Sequence, residues 1–104
     1  MKKRTCVIIQ ARMTSTRLNS KVLMKICGRS ILELIVERLR LCRKIDDIIL
    51  AMPDTQPNDS LADFALQMNY NYYRGSENDV LSRFYDAARH FAVDEIIRVT
   101  ADCP

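Results

Sequence analysis

Four short apolar runs, separated by stretches of helical periodicity, constrain what this chain can fold into more than any other feature. Residues 5–10 and 47–52 are β-branched and continuous enough to be strands buried on both faces. Residues 71–74, with two tyrosines, and 95–100 (EIIRVT) read as the third and fourth strands. Between the first two, Ser30 and Glu33 form an S-x-x-E capping box, and Ile31, Leu34, Ile35, Arg38, Leu39 and Cys42 recur at helical spacing, so a helix is expected over about 30–44. Asn58 or Asp59 can cap a second helix carrying Leu61, Phe64, Ala65 and Met68 on one face. After a turn at 75–78, residues 80–91 space Val80, Leu81, Phe84, Ala87, Ala88 and Phe91 as a third.

The resulting β-α-β-α-β-α-β alternation implies an α/β fold whose parallel sheet has right-handed crossovers and helices on both faces. With the strands in the order 3-2-1-4, the topological switch point falls between the first and fourth. Open sheets of this kind bind ligands there, outside the carboxyl ends of the strands. The loop 11–21 and the segment 100–102 are therefore expected to share one crevice.

At 104 residues the chain is one domain, and its 48% hydrophobic and 28% charged residues are globular values. A formal net charge of +3 is too small, and its lysines and arginines too dispersed, for duplex nucleic acid; it suits either a small polyanion or ordinary solubility. Cys6, Cys27, Cys42 and Cys103 form no C-x-x-C pair and the sole histidine, His90, has no cysteine near it, which argues against zinc and for a reducing, cytoplasmic setting. The apolar run after Lys2–Arg4 is shorter than the roughly 7–15 residues of a signal sequence, and nothing approaches the ~20 residues of a membrane span, so no membrane partner is expected.

The loop after the first strand, Q-A-R-M-T-S-T-R-L-N-S-K, sets Arg12, Arg17 and Lys21 among the hydroxyls of Thr14, Ser15, Thr16 and Ser20. Guanidinium forks, a mobile ammonium and hydroxyls are suited to wrapping a triphosphate, although a solvated basic loop has the same composition. Asp102, after the fourth strand, is placed to hold Mg²⁺, which takes one or two carboxylates with phosphate oxygens; a turn or capping role is its ordinary alternative. In R-G-S-E-N-D-V-L-S-R, the residues Arg74, Ser76, Asp79 and Arg83 could reach a base or ribose, while Ser76, Glu77 and Asn78 equally suit a helix cap and its first turn. Only Gly28 and Gly75 occur, so neither a P-loop nor a G-x-G-x-x-G fingerprint is present. His90, late in the third helix, reads as structural, and Tyr70, Tyr72 and Tyr73 as divided between core and surface.

Three motifs in order, I-I-Q-A-R-M-T-S-T-R-L-x-x-K-V-L, R-G-S-E-N-D-V-L-S-R-F and R-V-T-A-D-C-P, span essentially the whole chain. Together they resemble the cytidylyltransferase family that includes spore coat polysaccharide biosynthesis protein F and, more distantly, the 3-deoxy-manno-octulosonate and acylneuraminate cytidylyltransferases. The resemblance implies a Rossmann-like, three-layer nucleotidyltransferase fold and transfer of CMP from CTP to a sugar or sugar acid, with Mg²⁺. On that analogy Gln10, Ala11, Arg12, Ser15, Arg17 and Lys21 hold the triphosphate, Arg12 and Lys21 serving catalysis. Arg74, Asp79 and Arg83 lie near the cytidine, and Asp102 binds the metal. The sugar hydroxyl attacks the α-phosphorus in line, with no protein nucleophile.

Members of that family are about twice as long, so residues 1–104 correspond to the amino-terminal, nucleotide-binding part of a single domain whose carboxyl-terminal half is absent. The expectation is then an exposed edge on the fourth strand, open to a homodimer or another partner, and a species that binds nucleotide weakly without turnover. Pyrophosphate release from CTP by this chain would contradict that. Two other readings compete: a non-catalytic nucleotide-binding or interaction module, and a nucleotidyltransferase that uses another nucleoside triphosphate.

Overall fold

The computed structural model describes residues 3–12, 25–26 and 29–100. Strand β1 (Thr5–Gln10) lies at the centre, with Cys6, Val7, Ile8 and Ile9 fully buried, because parallel neighbours flank it and helices cover both its faces. Two short antiparallel strands, β2 (Lys25–Ile26) and β3 (Arg29–Ser30), come next and pair Lys25 with Ser30 and Ile26 with Arg29. No element was expected there from the sequence. Helix α1 (Ile31–Arg40) then leads to β4 (Asp47–Pro53), a 3₁₀ turn (Gln56–Asn58), α2 (Asp59–Gln67), β5 (Asn71–Gly75), α3 (Val80–His90) and β6 (Glu95–Thr100).

The four long strands form one parallel sheet in the order β5-β4-β1-β6, which is the expected 3-2-1-4. Period-2 alternation divides the core. Val7, Ile9, Leu50 and Met52 face the layer of α1 and α2, where Leu32, Val36, Leu61 and Ala65 meet them. Cys6, Ile8, Ile49 and Ala51 face α3, through Phe84, Ala87 and Ala88. The chain thus steps outward from β1 to β5 over one face and returns to β6 over the other, a three-layer Rossmann-like arrangement.

Several boundaries and faces differ from expectation for physical reasons. Helix α1 stops at Arg40 instead of running to 44: Leu41 and Cys42 donate to the carbonyls of Arg38 and Leu39, three residues back, and both are exposed. Asp46 then donates its amide to the Thr5 carbonyl, so the intervening residues are needed to reach β4. The strand expected over 47–52 runs one residue further, with Pro53 paired with Gly75 as the last residue of β4. Asn58 precedes α2 without capping it; its side-chain amide donates to Thr55 Oγ1 at 2.9 Å. The tyrosines divide between the two core layers, Tyr70 and Tyr72 on the α1/α2 side and Tyr73 on the α3 side, and all three are half-buried. His90 ends α3 against the rings of Tyr73 and Phe91, in keeping with a structural role.

Leu81, expected in the core, is 74% exposed. It lines an open groove with Tyr85 of α3 and Ile96 and Arg98 of β6. Among the described residues β6 pairs with β1 alone, and its Ile96 and Ile97 are both exposed. No helix among the described residues is long and apolar enough to cross a membrane.

Candidate functional site

The carboxyl ends of the strands collect the polar groups that can meet a ligand. Gln10, the last residue of β1, stands in register between Ala51 of β4 and Thr100 of β6, which is the switch point. Ala11 continues the ladder by donating its amide to the Ala51 carbonyl at 3.0 Å and is buried. Arg12 is then the first side chain free to leave the sheet. Its Nη2 lies 3.5 Å from Glu77 Oε1, and the two side chains are 45% and 43% exposed. The loops after β1 and β5 therefore meet at one rim.

Arg83, on the inward face of α3, is the unusual member of this group, since it is completely buried. Its Nη1 donates to the Ser76 carbonyl at 2.6 Å and more loosely to that of Glu77 at 3.5 Å. Nε and Nη2, equally buried, have no hydrogen-bond partner among the described residues. Burial, and after it the positive charge of Arg12, pulls the guanidinium below its ordinary pKa. An arginine nonetheless stays charged, so this rim carries two cations, Arg12 paired with the Glu77 carboxylate and Arg83 donating to backbone carbonyls. Gly75 lets the buried side chain pass: a Cβ there would stand 3.2 Å from both Arg83 Cγ and Tyr73 Cε2.

Asp79 is the N-cap of α3. Its Oδ1 accepts from the Ser82 amide at 2.9 Å, and its own amide donates to Ser76 Oγ at 3.1 Å. The cap expected of Ser76 or Asn78 thus belongs to Asp79, with Ser76 supporting it. Arg74 points to the other side of the sheet, as strand alternation from Tyr73 requires, and braces the β4–α2 connection. Its Nη2 donates to the Thr55 carbonyl and to Asp59 Oδ1, both at 2.8 Å, and Nε lies 3.6 Å from Asp54 Oδ1. Arg12, Asp79 and Arg83 are thus gathered around the Ser76–Glu77 turn, whereas Arg74 is engaged elsewhere.

Ser15, Arg17, Lys21 and Asp102 lie outside the described residues. Among the described residues there is no group of three His, Cys, Asp or Glu side chains that could hold a metal ion. Glu77 was read from the sequence as a first-turn acid and nothing more. Its pairing with Arg12 joins residues 65 positions apart, a distance no local pattern reveals.

Comparison with known proteins gives a consistent picture. The sequence model of one family, described as Cytidylyltransferase, matches residues 6–104. A protein of Methanocaldococcus jannaschii is 44% identical over 97 residues, covering 93% of this chain and 40% of the relative. Spore coat polysaccharide biosynthesis protein SpsF of Bacillus subtilis is 36% identical over 101 residues, covering 93% and 42%. A solved cytidylyltransferase from Leptospira borgpetersenii superposes with a TM-score of 0.88 at 32% identity, covering 99% of this chain and 43% of that one. The CMP:2-keto-3-deoxy-manno-octonic acid synthetase complexed with CTP shares the fold at 18% identity, with a TM-score of 0.73, covering 95% and 40%. The chain spans about two fifths of the length of each of these relatives.

Proposed function

This chain belongs to the cytidylyltransferase family, and from that premise we propose that it supplies the nucleotide site for transfer of CMP from CTP to a sugar or sugar acid in surface polysaccharide biosynthesis. The observation that carries the reading is that Arg12 and the buried Arg83 both reach the Ser76–Glu77 turn, beside the switch point of the sheet. A cationic rim at the carboxyl ends of parallel strands is where a phosphate tail is best received.

In this reading Arg12, with Ser15, Arg17 and Lys21, grips the triphosphate, and the backbone at Gln10 and Ala11 sets the floor beneath it. Asp79 and Arg83 shape the turn beside the cytidine, and Arg74 holds the outer wall in place through Asp54 and Asp59. Mg²⁺, held by Asp102 and phosphate oxygens, would neutralise charge on the phosphates when bound. The acceptor hydroxyl attacks in line, and the protein contributes positioning and charge. The name of the Bacillus subtilis relative supports a polysaccharide pathway, and the CTP complex of the structural neighbour supports the choice of nucleotide.

Calorimetric titration of the chain with CTP, UTP, GTP and ATP, with and without Mg²⁺, tests this. Mg²⁺-dependent preference for CTP is expected, with Arg12→Ala weakening binding by at least about tenfold, as loss of a hydrogen bond to a charged group does. Preference for another nucleotide would replace CTP as the substrate. Binding indifferent to Mg²⁺, Arg12→Ala, Lys21→Ala and Asp102→Ala would leave an interaction module instead of an enzyme.

A further inference from the structure

We propose that Glu77 is a built-in stand-in for a ligand phosphate: it occupies Arg12 while the site is empty and is displaced when a triphosphate tail arrives. The inference rests on the nucleotide-site reading above and assigns a role to a residue that reading leaves unused.

Three observations converge on it. Glu77 Oε1 lies 3.5 Å from Arg12 Nη2, and both side chains remain nearly half exposed, so an incoming anion can reach the pair. The turn carrying Glu77 is pinned from beneath by the buried cation of Arg83, which donates to the Ser76 and Glu77 carbonyls. The backbone from which the carboxylate extends is therefore held in place. The neighbouring acid, Asp79, is turned to the Ser82 amide as a helix cap, leaving Glu77 as the described carboxylate paired with Arg12. Arg12 is thus paired with a single carboxylate on a turn held by the buried cation of Arg83, and a polyphosphate satisfies such a rim better than one carboxylate does. Because Glu77 precedes the first helical residue of α3, Val80, and is exposed, its carboxylate is not needed for packing.

The pair opposes ligand binding by the strength of an exposed ion pair, about 0.2–1 kcal/mol, equivalent to up to about fivefold in affinity. Isothermal titration of the 104-residue chain with inorganic triphosphate at low salt, comparing the unmodified protein with Glu77→Gln and Glu77→Ala, measures this directly. Both variants are expected to bind more tightly by up to about fivefold, and the difference should shrink as salt is raised. Far-UV circular dichroism confirms that each variant is folded. Unchanged or weaker binding by the two variants, in a protein whose binding still depends on Arg12, overturns the stand-in role and leaves the nucleotide site intact. Absence of triphosphate binding, or binding indifferent to Arg12→Ala, overturns both the role and the site.

Discussion

Replacing Arg83 with methionine separates stability from binding at one residue. The substitution keeps an unbranched side chain of similar length in the space beneath Gly75 and Ser76, but it removes a charge that is fully buried. On the unfavourable side, the bond from Nη1 to the Ser76 carbonyl is lost, and a hydrogen bond to a charged group contributes about 1.5–3 kcal/mol. The freed carbonyl belongs to an exposed turn, where water can replace the donor. On the favourable side, Nε and Nη2 no longer lie buried without acceptors, each a cost of about 1–3 kcal/mol. Desolvation of a cation with no carboxylate against it points the same way. Arg83→Met should therefore stabilise the fold by about 0.5–3 kcal/mol, with roughly 4–8 °C of melting temperature for each kcal/mol. Arg83→Ala removes the same charge but leaves a void under the turn, and it should be less stable than Arg83→Met. Thermal unfolding followed by far-UV circular dichroism, beside calorimetric titration with triphosphate, makes the comparison. Stabilisation accompanied by weaker triphosphate binding is the expected outcome. A fall in melting temperature with Arg83→Met would refute the reasoning, because the buried charge would then be compensated within the fold.

Gly75→Ala introduces a Cβ 3.2 Å from Arg83 Cγ and Tyr73 Cε2, so a destabilisation of about 1–3 kcal/mol is expected in urea unfolding, and it should be smaller in an Arg83→Ala background that has room for the methyl. Burial raises the Cys6 thiol above its ordinary value of 9.0, with the charge of Arg4 only partly opposing the shift. A raised folded-state pKa means that the native state holds the proton more tightly. The stability associated with the neutral thiol is fully present below pH 9.0 and falls as the pH rises through and beyond that value. Cys6→Ala should flatten this alkaline loss, as followed by urea midpoints between neutral pH and about pH 10. At neutral pH, mass-spectrometric mapping of iodoacetamide adducts should find exposed Cys42 modified and buried Cys6 spared.

Local sequence was enough for much of the architecture. Continuous apolar runs at 5–10 and 47–52 suited strands covered on both sides, and alternation with helices pointed to a parallel sheet with right-handed crossovers, one order of which, 3-2-1-4, is the one found. Arg74, by contrast, was expected beside Asp79 and Arg83 near the base or ribose, and only the tertiary structure turns it to Thr55 and Asp59. The end of α1 was not legible, because Leu41 and Cys42 fit helical spacing yet find no surface to cover, and only the path back to β4 decides where the turns tighten.

The functional rim divides in the same way. Arginines and hydroxyls after the first strand suit a polyanion by residue type alone, as guanidinium forks do in any fold, although a solvated basic loop has the same composition. That Arg83 is sealed inside, that Asp79 holds the cap and that Glu77 reaches Arg12 across 65 residues were decided by the tertiary structure. Charge and burial at a given side chain depend on what the rest of the chain brings within a few ångströms, and no local period encodes that.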